Sequence, residues 1–178
     1  MGKEKLLLPL GDRPVIVRCI TALCEAGVHD IIVVTRLDGV AIRNLTDQCP
    51  VRQVINQDPA SDMAGSVRAG LRVTGTDVVL VFPADFPLVA PATIKELVSV
   101  PGSGILIPRY RGKGGHPVLF PGKLLEEINT VPTLMTLIAR HRDKVRYVDV
   151  PDRGILLDLD TPEDYRQMCE AFPNEFRY

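Results

Sequence analysis

The segment "TDVVLVFPADFPLVAP" (residues 76–91) is the starting point for interpreting the chain. Its apolar run 78–82 is typical of a strand that is buried on both faces, as in a parallel sheet. The run ends at Pro83, and a single carboxylate, Asp85, follows before the next proline. Ligands of open parallel sheets bind beside the carboxyl ends of the strands. Asp85 is therefore either a polar residue of a Pro-flanked turn or a carboxylate of a functional site.

Apolar strands alternate with helical segments on both sides of this stretch. The runs "DIIVVT" (30–35) and "RQVIN" (52–56) predict strands, while "RPVIVRCITALCEAGV" (13–28) and "MAGSVRAGLRV" (63–73) predict helices. Farther along, we expect helices in 91–99, 122–129, 133–143 and from Thr161 onward, strands in 104–108 and 145–150, an extended piece in 116–120, and a last apolar run in 154–160. This alternation favours a parallel sheet with helices on both faces.

Composition and charge exclude several classes of function. The 178 residues carry a formal net charge of -1, which gives no global basic field for nucleic acid or an anionic membrane surface. No run of residues is apolar and long enough to span a bilayer, and no secretory signal is recognisable. The four cysteines form no CxxC pair, which is typical of reduced thiols in a cytoplasmic protein.

Polar residues follow the strand that is predicted at 52–56. Asn56 ends this strand, and Ser61, Asp62, Gly65 and Ser66 lie in the following loop or at the helix start. The free backbone amides at a helix start can receive an anion or the edge of a base. A simple helix cap with a tight turn explains the same residues, and the sequence leaves both interpretations open.

Carboxylates suitable for a metal occur at two strand ends. Asp85 follows one apolar run, and Asp158 and Asp160 end another. If that last run is a strand, alternation places Asp158 and Asp160 on the same side. Because magnesium is bound by one or two carboxylates together with phosphate and water oxygens, we expect Mg²⁺ at Asp85 with either Asp158 or Asp160. Asp160 alternatively just precedes a helix cap.

The segment "RYRGKGGHPVLF" (109–120) combines cations with glycines. Arg109 and Lys113 supply positive charge, and Gly115 allows the backbone to approach a ligand closely. His116 follows directly and precedes a proline, which favours an extended backbone. These residues are candidates for binding an anionic small molecule, although a solvated hairpin accounts for the same composition.

Five motifs occur in order along the chain: "EKLLLPLGDRPVI" (4–16), "DMAGSVRAG" (62–70), "VFPADFPLV" (81–89), "GKGGHPVLF" (112–120) and "LLDLDTPEDY" (156–165). With them the chain resembles the MobA-like nucleotidyltransferases, and most closely the molybdenum cofactor cytidylyltransferases of the MocA type. The resemblance implies a single domain over residues 1–178 with a Rossmann-like, three-layer α/β/α fold and a mostly parallel sheet. It also implies transfer of a nucleoside monophosphate, with CMP favoured, from a nucleoside triphosphate to a phosphorylated acceptor such as molybdopterin, with Mg²⁺ and release of pyrophosphate.

The resemblance also assigns roles to particular residues. Lys5 matches the family lysine that neutralises phosphate charge, and Asp85 matches the metal-binding aspartate. Either Asp158 or Asp160, before the closing helix, helps to hold the metal. The nucleotide lies beside Met63, Gly65 and Ser66, and the acceptor faces Gly115, His116 and Pro117.

The chain departs from the family pattern in three places. It has Asp62-Met63-Ala64 where the family more often has Gly-Met-Gly, and Ala84 replaces a usual glycine. The family's first strand and its Gly-rich, triphosphate-cradling loop are also absent from the sequence, and the loss is expected to leave neighbouring strand edges unpaired.

Two explanations of the absent strand and loop stay open. One is a misplaced or shortened start, and the other is a degenerate relative whose gap is filled by something else, such as a second protomer of a homodimer. The alternative functions are a non-catalytic nucleotide- or cofactor-binding relative and a sugar- or polyol-phosphate nucleotidyltransferase. The sequence does not choose between CTP and GTP.

Overall fold

The computed structural model describes residues 3–58, 60, 62–102 and 104–171. Its strands are β1 (Pro9–Leu10), β2 (Arg13–Pro14), β3 (Ile32–Arg36), β4 (Arg52–Asn56), β5 (Val78–Val81), β6 (Ile105–Tyr110), β7 (Lys113–Gly114), β8 (Val118–Pro121) and β9 (Val145–Asp149). Its α-helices are α1 (Val15–Glu25), α2 (Val40–Thr46), α3 (Met63–Leu71), α4 (Pro91–Ser99), α5 (Gly122–Leu125), α6 (Leu134–Arg140) and α7 (Pro162–Ala171). The predicted three-layer α/β class is confirmed. None of the described helices combines the length and apolar character needed to cross a bilayer.

The larger sheet is mixed, with the order β5-β8-β6-β7 and with β9 added to β6. The β6–β9 pair is parallel, whereas β8 runs antiparallel to both β5 and β6. The extended piece predicted at 116–120 is thus an interior antiparallel strand. It follows a tight β6–β7 hairpin instead of a crossover helix, and a hairpin reverses the direction of the chain.

A second, two-stranded sheet consists of β3 and β4, which pair in parallel with Ile32 opposite Arg52 and Arg36 opposite Asn56. Within the described residues, β3 pairs only with β4, and β5 pairs only with β8. Each of these strands therefore keeps one edge without a strand partner.

Helix α1 covers one face of β3. The residue before α1 is Pro14, and Gly27, two residues after its end, has a φ of +85°, as expected of a helix terminator. Ile16 and Ile20 of the predicted apolar stripe are buried in a cluster with Ile31, and Leu23 and Cys24 pack against that cluster. A larger cluster around Phe120, Ile105 and Leu125 fills the space beneath β8 and β6.

The cysteines differ sharply in accessibility, and this predicts their reactivity. Cys19 is buried, and its thiol donates to the carbonyl oxygen of Ala84 at 3.3 Å. Burial, with a smaller contribution from the charge of Asp85, raises the pKa of Cys19 to about 12. Cys169 on α7 is exposed. Because the thiolate is the reactive form, we expect iodoacetamide at pH 8 to alkylate Cys169 rapidly and Cys19 only after unfolding, as measured by peptide mass spectrometry.

The matched control is Cys169→Ser, which should remove the rapid phase and leave Cys19 protected. Alkylation of Cys19 in the native protein at the rate of Cys169 would contradict the described burial.

Candidate active site

A lysine bridges two carboxylates at the carboxyl end of β5. The Nζ atom of Lys5 lies 2.8 Å from Oδ2 of Asp85 and 2.8 Å from Oδ1 of Asp160. The Lys5 and Asp85 side chains are largely shielded, with 18% and 24% of their surface exposed, whereas that of Asp160 is 63% exposed. These three residues bring together the first, third and fifth of the sequence motifs.

The electrostatics of this cluster favour the charged forms of Lys5 and Asp160. Burial alone would lower the pKa of Lys5, but hydrogen bonds and charge from Asp160 and Asp85 outweigh it, so the pKa is raised. The hydrogen bond and charge of Lys5 lower the pKa of Asp160. Two carboxylates with one ammonium leave a net negative charge at the cluster, a setting suited to a further cation.

The segment that carries Asp158 and Asp160 is not a strand, and the structure corrects that expectation. Residues Arg153–Leu156 form a 3-10 helix, and residues 157–160 belong to no strand or helix in the described part of the chain. The segment is instead fixed by single bonds, since the amide of Leu159 donates to the carbonyl oxygen of Asp85 at 2.8 Å. A backbone bond thus joins the two carboxylate-bearing segments directly.

Of the two candidates in this segment, Asp160 is the one that shares Lys5 with Asp85. Asp158 is exposed, and its charge is felt at His116. Thr161, which follows Asp160, forms a reciprocal cap at the start of α7. Its Oγ1 accepts from the Asp164 amide at 3.1 Å, and Asp164 Oδ2 accepts from the Thr161 amide at 2.7 Å. The predicted helix cap is therefore present beside the predicted ligand.

His116 lies beside the cluster in a largely apolar setting. Its ring packs against Phe86 with the centroids 4.7 Å apart, and its Nδ1 atom is buried without a hydrogen-bond partner among the described residues. Burial lowers the pKa of His116, although the charges of Asp85 and Asp158 act in the opposite direction. The imidazole is therefore neutral near pH 7, and its Nδ1 atom is both buried and unpaired among the described residues.

Close backbone packing holds His116 in place. Its amide donates to the carbonyl oxygen of Ile155 at 2.9 Å, and a side chain on Gly115 would put its Cβ only 2.2 Å from that same oxygen. Gly115 is thus required because two backbone segments approach each other closely at this position. The sequence analysis predicted a close approach to a ligand there instead. The His116–Pro117 peptide bond is cis.

The candidates for nucleotide binding surround the start of α3. Asn56 is buried at the end of β4, and its Oδ1 accepts from the Asp58 amide at 3.2 Å. Met63 and Ser66 line a cavity that also reaches Lys5 and Asp85. The Gly65 amide donates to Oδ1 of Asp62 at 2.9 Å, so the helix start carries its own cap. Ser61 lies outside the described residues.

Arg109 and Lys113 are not brought to the carboxylate cluster. Arg109 forms a two-pronged ion pair with Asp149 at 2.7 and 2.8 Å, and its guanidinium lies over the Tyr147 ring at 5.2 Å from the centroid. Lys113 is exposed on β7 at the end of the hairpin. Both cations therefore lie toward the β9 side of the sheet in this structure.

Asp152 is a positioning residue that the sequence interpretation missed. Its Oδ2 accepts from the Ala90 amide at 2.9 Å and from the Thr93 hydroxyl at 2.7 Å, and its Oδ1 accepts from the Gly154 amide at 2.8 Å. It therefore joins the segment after Asp85 to the segment before Asp158. The turn-forming letters "PDRG" (151–154) were the available signal, but they do not reveal a partner about 60 residues away.

Gly154 offers a stability test of this junction. A Cβ atom there would lie 2.0 Å from the carbonyl oxygen of Leu88, which belongs to backbone that cannot rotate away. We expect Gly154→Ala to lower the free energy of unfolding by about 1–3 kcal/mol, as overpacking typically does. Urea denaturation followed by circular dichroism measures this.

Gly75→Ala is the matched control, because a Cβ at Gly75 meets nothing within 4 Å. It should change the free energy of unfolding by less than about 1 kcal/mol. Equal stability of the two variants would contradict the close contact between residues 88 and 154.

The carboxylate pair fits a magnesium ion that shares its coordination with a substrate. The described residues contain no group of three or more His, Cys, Asp or Glu side chains placed to hold a metal alone. Magnesium, however, is usually bound by one or two carboxylates, with substrate phosphates and water completing its shell. Asp85 and Asp160 match that donor set.

Residues 1–145 match the MobA-like NTP transferase domain. The chain belongs to this family. Members act on a nucleoside triphosphate and a small-molecule acceptor, so the chain is assigned to the nucleotidyltransferases.

Comparisons with individual proteins agree with this assignment. The molybdenum cofactor cytidylyltransferase of Escherichia coli is 24% identical over 173 residues, which cover 97% of this chain and 90% of the relative. The structure of Rv0371c from Mycobacterium tuberculosis in complex with manganese superposes with a TM-score of 0.83 and 28% identity, covering 95% of this chain and 93% of that one. A nucleotidyl transferase from Methanothermobacter superposes with a TM-score of 0.84 and 25% identity, covering 94% and 84% of the two chains.

Proposed function

We propose that this MobA-like protein transfers CMP from CTP to a phosphorylated acceptor such as molybdopterin and releases pyrophosphate. The observation that carries the proposal is the Lys5 ammonium held between Asp85 and Asp160 at the carboxyl end of β5. The pairing of a cation with metal-type carboxylates suits a reaction of phosphate groups. The choice of CTP and of molybdopterin rests on the similarity to the E. coli cytidylyltransferase.

In the proposed reaction a phosphate oxygen of the acceptor attacks the α-phosphorus of the triphosphate. The new P–O bond forms as the bond to the β-phosphate oxygen breaks, and pyrophosphate leaves with that electron pair. The protein has little covalent work to do in such a reaction, so positioning and charge stabilisation supply the catalysis. The Lys5 ammonium offsets the negative charge that gathers on the oxygens around phosphorus.

Asp85 and Asp160 are the residues that would hold Mg²⁺, with Asp158 nearby as an alternative ligand. When bound, the ion would draw the phosphate oxygens together and neutralise part of their charge. The pair is also consistent with manganese, with which the similar protein Rv0371c forms a complex. A titration with each metal separately distinguishes the two.

The two substrates would lie on opposite sides of this cluster. Asn56, Met63, Gly65 and Ser66 are the proposed nucleotide side, supported by the cavity that Met63 and Ser66 share with Lys5 and Asp85. Gly115 and His116 are the proposed acceptor side, supported by the position of the His116 ring against Phe86, the residue that follows Asp85. Arg109 and Lys113 belong to that side only if the hairpin that carries them moves toward the acceptor.

The proposal also places the protein in the cytoplasm, in keeping with four free cysteines, and allows a homodimer. Sedimentation of the purified chain measures whether it forms a homodimer. Neither is needed for the chemistry.

The direct test is pyrophosphate release by the 178-residue chain with each of CTP, GTP, ATP and UTP, with Mg²⁺, and with molybdopterin as the acceptor. The expected result is release that needs both CTP and molybdopterin. Release with a sugar or polyol phosphate instead would redirect the acceptor, and release with GTP would redirect the base. Calorimetric binding of CTP without turnover would favour the non-catalytic alternative over the enzyme.

A further inference from the structure

Strand β9 forms an open edge of the larger sheet. Among the described residues it pairs only with β6, in parallel. The amide of Val150, just after the strand, donates to the carbonyl oxygen of Arg109 on β6 at 2.9 Å. Because successive residues of a strand direct their backbone groups to opposite sides, the N–H and C=O groups of Val145, Tyr147 and Asp149 point away from β6. Such an edge is a template for a further strand.

Positive charge gathers along this edge. Residues 109–113 and 142–149 together carry six cations and two carboxylates, in a chain whose net charge is -1. One of the two carboxylates, that of Asp149, already forms an ion pair with Arg109. The cations other than Arg109 are all exposed, and they are Arg111, Lys113, Arg142, Lys144 and Arg146. The surface therefore favours a negatively charged partner.

An exposed aromatic ring accompanies these cations. Tyr147 is 53% exposed, and the guanidinium of Arg109 lies over its ring at 5.2 Å from the centroid. The ring also reaches the β6–β7 hairpin, since a Cβ atom on Gly114 would lie 3.3 Å from a ring carbon. Tyrosine and arginine are enriched among the residues that contribute most to protein–protein binding. We call this continuous surface, β9 together with residues 109–114, the basic edge.

Charge and backbone together decide which occupant fits the basic edge. A second copy of β9 would bring two sets of cations together, and like charges opposite each other destabilise strand pairing. A nucleic acid would leave the backbone groups of the edge unpaired and would meet the carboxylates of Asp143 and Asp149. An extended acidic polypeptide bonds to the backbone groups and offsets the cations at the same time.

We propose that the basic edge binds an extended, acidic segment of a partner protein, which adds as a strand to β9. Both β5 and β6 run antiparallel to β8, and β9 is parallel to β6, so β9 ends on the same side of the sheet as the strand that precedes Asp85. The partner would therefore lie beside the side of the sheet on which the candidate site is located. The proposal rests on the strand edge and its charges, and it is independent of the proposed reaction.

The test adds three fluorescein-labelled peptides separately to the intact chain: the acidic DEVTVTVED, its proline control DEVTPTVED and its charge-reversed control KRVTVTVRK. Proline removes an N–H that strand addition needs. In anisotropy titrations the acidic peptide should bind at least about tenfold more tightly than either control. Binding of the proline control as tight as that of the acidic peptide would overturn strand addition. Equal binding of the basic peptide, or no binding of any peptide, would also overturn the proposal.

A pair of lysine variants locates the binding. Lys144→Glu reverses an exposed charge at the start of β9 and should weaken binding of the acidic peptide by about threefold to tenfold. The matched control is Lys123→Glu, an exposed position on α5, which packs against β5 and β8. At about 0.15 M salt, charges farther apart than about 8 Å are largely screened, so the control should change binding by less than about 1.5-fold. Equal weakening by both variants would mean unspecific attraction and would overturn the proposal.

Hydrogen exchange followed by NMR on the unmodified chain tests the backbone contact directly. Saturating acidic peptide should slow exchange of the Tyr147 and Asp149 amides at least about tenfold. The Val148 amide, which points toward β6, is the internal control and should change little. Unchanged exchange at Tyr147 with peptide bound would overturn strand addition. Displacement of the peptide by an equal concentration of a short oligothymidylate would overturn the proposal in favour of a nucleic-acid surface.

Discussion

Replacing Asp85 by asparagine is expected to lower the rate of pyrophosphate release by about 10²–10³-fold, the usual effect of removing one preorganised electrostatic group. The change preserves the shape of the side chain but removes its charge. It therefore weakens the hold on Lys5, which lies 2.8 Å away, and removes one of the two carboxylates proposed for the metal. The assay is initial-rate pyrophosphate release with CTP, Mg²⁺ and the acceptor.

The structure indicates that Asp85→Asn should fold normally. The bond that fixes the Asp158–Asp160 segment uses the backbone carbonyl oxygen of Asp85, which the substitution leaves in place. The matched control is Asp77→Asn, which removes an exposed carboxylate just before β5. Asp77→Asn should retain full activity. If Asp85→Asn also keeps more than about half of the activity at unchanged Tm, Asp85 does not take part in the reaction.

The parts of the fold that the sequence predicted well depend on short-range patterns. The apolar runs "DIIVVT" and "DVVLVF" became β3 and β5, and the helix predicted at 91–99 begins and ends at those residues. Proline at the start of a helix and apolar spacing within a few turns are local signals. They determine where elements lie along the chain without reference to their neighbours in space.

The parts that it missed depend on partners far apart in the chain. The sequence around residue 118 does not indicate that β8 runs antiparallel between β5 and β6. The direction of β8 is set by the β6–β7 hairpin that precedes it in the chain. The continuation of a strand to Asp158 and Asp160 was wrong, since the bond between Leu159 and Asp85 replaces a ladder there.

The candidate site was predictable only to the extent that motifs mark it. Alone, Lys5 is an ordinary lysine near an N-terminus, and only the resemblance to a family selected it. Its two partners are 80 and 155 residues away, distances that no periodicity in the sequence spans. Asp152 lies outside the five motifs, and the motif that contains Phe86 assigned it no role, so the roles of both side chains emerged only from the packed structure.

The bridging position of Lys5 leads to a prediction with two opposite effects. Lys5→Gln should lower pyrophosphate release by about 10²-fold, because a neutral amide cannot offset phosphate charge. In the protein without nucleotide, the same change should increase the affinity for Mn²⁺, since the ammonium that competes for Asp85 and Asp160 is gone. The expected increase in Mn²⁺ affinity is roughly tenfold, or about 1.4 kcal/mol of binding free energy. This value lies between the Coulomb energies of two unit charges about 4 Å apart in water and near a protein surface. Calorimetry with Mn²⁺ and the rate assay measure the two effects separately.

The acid titration of Asp160 provides a third readout of the same variant. The hydrogen bond and charge of Lys5 lower the pKa of Asp160, so the pair stabilises the fold above the ordinary aspartate range and loses this contribution as the pH falls through the lowered pKa. In Lys5→Gln the pKa of Asp160 should rise toward its ordinary value, which NMR titration of the carboxyl carbon detects. Lys95→Gln, on the exposed surface of α4, should change neither the rate, the Mn²⁺ affinity nor this pKa. A Lys5→Gln variant with weaker Mn²⁺ binding and an unchanged Asp160 pKa would mean that the ammonium does not neutralise the two carboxylates in solution, and the proposed charge balance of the site would then have to be abandoned.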